Sequence, residues 1–182
     1  MSYFAAAAVM DSGDWSAAEV SLSDAADLED VSDRLRDVSP SADLSLLFVE
    51  SDDVYLVILR LDQGEDLRVF GSDLAFAEDS RLGAMLLGEV SGPAVDMAAV
   101  ELAAADVDTE PEDPADEDVT KTASSVADAD PAGDFEILAD LGVPAERLLA
   151  LCSQEGMLPA DITAEICQAI GCGDEIEELR EA

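Results

Sequence analysis

The sequence predicts an α+β protein: a five-stranded, mostly antiparallel sheet with packed helices, then an acidic linker, then a small C-terminal helical bundle. Three observations carry this prediction. Apolar runs of strand length come in succession, separated by short polar turns, as hairpins require. Between two of these runs, residues 24–38 repeat their apolar residues at helical spacing. After residue 92 the large apolar side chains thin out into an acid-rich run, and helical spacing resumes beyond Gly133. The predicted organisation is therefore a sheet domain over 1–92, an Ala-rich then acidic linker over 93–134 largely without regular structure, and a helical segment over 135–182. With 182 residues, 49% of them hydrophobic, the chain has enough apolar material to bury a core.

Each element has a local reason. "SYFAAAAVM" has strand length, "DSGD" is a turn, and "WSAAEVSL" returns as a second strand. Ser23 stands where a helix N-cap belongs, with Asp24, Asp27, Glu29 and Asp30 in the early turns and Arg34 and Arg36 near the end. Leu28, Val31, Leu35 and Val38 form one stripe, and Pro40 stops the helix. Leu44 to Glu50 and Val54 to Leu61 read as strands around the turn Ser51–Asp53. In the second of them Val54, Leu56 and Ile58 oppose Tyr55, Val57, Leu59 and Leu61, so both faces are apolar and need covering, by helices or by a partner. Asp66 to Gly71 is the fifth strand, followed by a helix around "DSRLGAMLLGEV". Pro93 is placed to open an Ala-rich helix through Ala105, and Pro111, Pro114 and Pro131 interrupt the acidic run. Near the C-terminus Pro159 opens a helix that Gly171 closes, with Ile162, Ile166 and Ile170 every four residues. About forty-five residues bury little core alone, so this segment is expected to dock on the sheet or on another chain.

Charge and composition exclude several functions. Forty-four acids against eight bases give a formal net charge of −36. Such a chain repels phosphate backbones and anionic lipid, and attracts basic protein surfaces. The acidity is read either as a docking device or as background from a GC-rich genome or high salt, since Asn and His are missing and Arg outnumbers Lys. The apolar start has no basic residues ahead of it and is too short to span a bilayer, which predicts a cytoplasmic protein.

Without histidine, Ser-His-Asp and Cys-His catalysis and imidazole metal ligation are unavailable. The sole lysine, Lys121, lies in the acidic run, so no P-loop or Schiff-base pocket is built on it. Cys167 and Cys172 are five apart, with no CxxC pair, and with Cys152 they read as packed thiols; no metal or cofactor is expected. Trp15 and Tyr55 read as core or sheet residues. The scarce bases of the sheet region, Arg60, Arg68 and Arg81, are the candidate ligand or partner contacts, either as a cluster that holds an anion or as local pairs with Asp62, Asp66, Asp73, Glu78 or Asp79.

The segments "SYFAAA", "DLEDVSDRLRDV", "LLFVESDDVYLVILRLD", "RVFGSD", "SRLGAMLL", "LADLGVPAERLLALCSQEGMLPADI" and "EIEELR", in this order and spacing, resemble the tRNA adenosine deaminase-associated proteins of actinobacteria. The likeness spans the chain outside about residues 93 to 132. It implies association with the enzyme that converts adenosine to inosine in tRNA, and no catalytic residue. Zinc deaminases need an HxE motif and a PCxxC pair, and this chain has neither. The expected function is thus a non-enzymatic acidic accessory protein that meets a basic partner, tRNA adenosine deaminase or another basic protein, without binding nucleic acid or membrane. A small anionic-ligand sensor and a self-associating structural protein are the alternatives.

Overall fold

Every residue of one strand, Leu44–Ser51, is buried, and so is all but the last residue of its neighbour, Tyr55–Asp62. These are β3 and β4, and they lie inside a sheet covered on both faces. The computed structural model describes residues 3–51, 54–88 and 131–181. The other strands are β1 (Tyr3–Asp11), β2 (Asp14–Glu19), β5 (Asp66–Gly71) and β6 (Ala132–Gly133), in the order β2-β1-β3-β4-β5-β6 and antiparallel at every pairing. Among the described residues the sheet has six strands, one more than expected. The sixth is two residues long, too short for any apolar alternation to show, and it exists through its pairing of Phe70 with Gly133 and Gly71 with Ala132.

Register sorts the side chains into two cores. Ala7, Leu47, Leu59 and Val69 lie side by side across the strands and face α1 (Leu28–Val38), α2 (Leu74–Glu78) and α3 (Arg81–Leu87). Ala6, Phe48, Ile58 and Phe70 form the next row and face the C-terminal stretch: a 3-10 turn (Ala139–Leu141), α4 (Ala145–Cys152), α5 (Pro159–Ile170) and α6 (Gly173–Glu181). Both apolar faces of β4 are therefore covered by helices of this chain. The alternation across β4, Leu56 and Ile58 against Tyr55, Val57, Leu59 and Leu61, is as the strand period requires, but Val54, expected on the first face, stands in the turn before the strand and is exposed.

Helix α1 buries Leu28, Val31 and Leu35, each of which contributes about 2 kcal/mol against exposure. Its cap differs from expectation. Asp27 is the N-cap, in extended backbone, and its carboxylate accepts from the Asp30 N–H at 2.9 Å. Ser23 sits four residues earlier and its hydroxyl bonds the Tyr3 hydroxyl at 3.0 Å, so a competing tertiary partner displaces it from capping. Helix α5 does start at Pro159 and end at Gly171, whose φ of 94° is the left-handed conformation. The predicted Ala-rich helix and acidic linker lie outside the described residues.

Candidate functional site

Arg60 and Arg68 are direct cross-strand neighbours on β4 and β5, with side chains on the face that carries the C-terminal helices. Strand periodicity adds Asp62 to the same face, two residues after Arg60. Arg60 is only 5% exposed. A buried guanidinium must spend its five donors, and it does. It donates Nε to Asp62 Oδ2 at 2.9 Å and Nη2 to Asp62 Oδ1 at 2.8 Å. Its outer edge donates to the Ile137 carbonyl at 2.8 Å and to both oxygens of Asp140. Arg68 donates to Asp62 Oδ2 at 3.0 Å and to Asp134 Oδ2 at 3.4 Å.

Two guanidiniums thus face three carboxylates. The hydrogen bond to Asp140 raises the Arg60 pKa even though burial opposes it. Burial pushes the Asp62 carboxyl up, but the bonds and charges of Arg60 and Arg68 outweigh it and hold the group below the usual carboxylate range. Asp140 is likewise lowered, first by its hydrogen bond from Arg60. No proton in these pairs moves near neutral pH, so Arg60, Asp62 and Asp140 are unsuited to general acid or base work. What the cluster does is mechanical: it ties β4 and β5 to residues 134–140.

A second tie lies farther along the same face. Arg180 of α6 bonds the Glu50 carboxylate of β3, and its guanidinium lies 5.2 Å from the centre of the Phe4 ring.

Of the three arginines singled out from the sequence, the fold brings Arg60 and Arg68 together through Asp62 and puts Arg81 on the opposite face, at the start of α3. Arg81 bonds no described residue. Asp62 is the one anticipated partner that is used; Asp73 instead caps α2 through the Phe76 N–H. Asp134 and Asp140 were missed. They stand 66 and 80 positions from their arginines, and no local signal marks them. Among the described residues, no three His, Cys, Asp or Glu side chains converge as metal ligands would, and no helix is long and apolar enough to cross a membrane.

An antiparallel sheet between two helical layers, its buried charges engaged by its own side chains, defines a small acidic α+β protein whose charged cluster is structural. The chain belongs to the Rv3753c-like tRNA adenosine deaminase-associated protein family, whose model matches residues 3–173. No curated protein and no solved structure matches it.

Proposed function

We propose that this protein is a non-enzymatic acidic accessory of tRNA adenosine deaminase, which it meets through a basic surface of the enzyme. The family's name supports the partner, and the formal charge of −36 supports the mode of contact. An enzyme that takes tRNA needs cationic surface to neutralise phosphates, and that surface attracts carboxylates equally well. The observation that carries the reading is the state of the arginines. Arg34, Arg36, Arg60, Arg68 and Arg180 each hold a carbonyl or carboxylate of this chain. Exposed acids on the outer helices, among them Asp37 on α1 and Glu165, Glu177 and Glu178 on α5 and α6, form no ion pair with a described arginine. The chain itself, without His or a PCxxC pair, has no means to build the zinc centre of a deaminase.

The test is to mix this protein with the deaminase of the same organism at about 0.05 M and about 0.5 M salt, where the Debye length falls from over 10 Å to under 5 Å. A complex that forms at low salt, weakens with salt and is competed by tRNA is the expected result. No complex at low salt, where attraction is greatest, overturns the proposal.

A further inference from the structure

We propose that a cavity on the α1 and α3 side of the sheet binds a small carboxylate with an apolar body, about the size of benzoate, through Arg81 and Ser51. This reading is independent of the deaminase partnership. It also concerns the face opposite Arg60 and Arg68.

The cavity has a volume of about 190 Å³ and is walled by Tyr3, Leu22, Leu82 and Met85, with Ser51 and Arg81 as polar lining. An apolar cavity of about 150 Å³ is large enough to hold benzene, so this one accommodates a single ring or a short branched chain. What distinguishes it is the state of its donors. Ser80 is committed: its Oγ pairs with the Tyr55 hydroxyl at 2.5 Å and accepts from the Gly83 N–H at 2.9 Å. The Tyr3 hydroxyl is committed too, accepting from the Leu22 N–H at 2.8 Å and pairing with Ser23.

Two donors remain. Ser51 is 5% exposed, yet its hydroxyl bonds no described residue. Arg81 is equally without a partner among the described residues, in a chain where acids outnumber bases 44 to 8. Among the described residues no buried side-chain nitrogen or oxygen lacks a partner, so the Ser51 hydroxyl is open to the cavity, and the Arg81 guanidinium at its rim is exposed; both are donors that a ligand can engage. A carboxylate accepts from both, and its two oxygens match the guanidinium fork. The apolar wall selects against inorganic phosphate, which has no hydrocarbon to place there. The chain's overall negative field acts at range and is screened beyond about 8 Å at physiological salt, whereas the contact with Arg81 is short.

The experiment titrates benzoate into the full-length protein at about 0.15 M salt, following amide resonances by NMR, with benzamide as the neutral isostere and Arg81→Gln as the variant. Arg81 is exposed, so the variant keeps the fold, which the unchanged remainder of its spectrum verifies. The expected result is saturable shifts at Tyr3, Ser51, Leu82 and Met85 with benzoate. Both benzamide and the Arg81→Gln protein should bind about tenfold more weakly, the loss expected for a hydrogen bond to a charged group. Absence of saturable shifts at millimolar benzoate, or equal binding of benzamide, or full affinity in Arg81→Gln, overturns it.

Discussion

Arg60 on β4 and Asp140 in the 3-10 turn, 80 positions apart, share two hydrogen bonds, and the same guanidinium also holds the Ile137 carbonyl at 2.8 Å. Arg60→Met keeps the apolar stem and deletes the fork. It leaves the Ile137 carbonyl without its donor and crowds Asp62, Asp134 and Asp140 without their main counter-charge. The expected loss is about 2–4 kcal/mol, read as a lower urea midpoint at neutral pH. Arg60→Lys should recover only part of it, because an ammonium cannot engage Asp62 and Asp140 at once. An unchanged midpoint in Arg60→Met would show that the cluster does not hold the C-terminal stretch.

The same cluster sets a pH dependence with a definite sign. Asp62 and Asp140 have folded pKa values below the usual range, so the unfolded chain binds more protons between those values and about 3.9. Their stabilisation is fully present above the unfolded value and is lost as pH falls through the folded one. Acidification also relieves the repulsion of a chain at −36, which acts in the opposite direction. A difference measurement separates the two. Asp140→Asn should be less stable than wild type by a constant amount above about pH 5, and the gap should close below about pH 4. A gap that widens on acidification would contradict the pairing.

Strand β6 depends on one glycine. Gly133 has φ of 100°, and a Cβ there would lie 2.2 Å from the Val69 carbonyl oxygen. Gly133→Ala should cost about 2 kcal/mol or more and detach the strand from β5. Hydrogen exchange at Asp134, whose N–H donates to the Val69 carbonyl at 2.9 Å, should accelerate beyond what global destabilisation explains.

The cysteines should be silent in the native protein. Burial pushes the Cys152 thiol up to about 12, and Cys167, a free thiol like its neighbour, is raised by a hydrogen bond with the Cys172 thiol and by burial. Cys172 is itself fully buried. At pH 8 a thiol with that value is about 10⁻⁴ ionised. A thiol-reactive dye should therefore label the protein slowly in buffer and all three positions rapidly in guanidinium. Fast labelling in the native state would place a cysteine at the surface.

The strands from Leu44 to Gly71 were legible because their alternation is long enough to repeat, and α1 because its stripe of Leu28, Val31 and Leu35 has helical period. The short α2 and the two-residue β6 escaped, since neither spans enough residues to show a period. The cap of α1 was misassigned to Ser23 because Ser23 and Asp27 are both good caps, and Tyr3, distant in sequence, decides between them. At the candidate site Arg60, Arg68 and Asp62 were identified from one neighbourhood of sequence, while Asp134, Asp140 and the Arg180–Glu50 pair were not.

By itself, the amino-acid sequence determined the chemistry open to this protein: no imidazole, few cations, a large negative charge, and apolar strands that demand cover on both sides. Tertiary structure alone decided what supplies that cover, which carboxylates neutralise Arg60 and Arg68, and that Arg81 stays unengaged by any described residue. The physical reason is range. Propensity and side-chain period act over a few residues, whereas neutralising a buried guanidinium requires whichever carboxylate the folded backbone brings within about 3 Å, however distant along the chain.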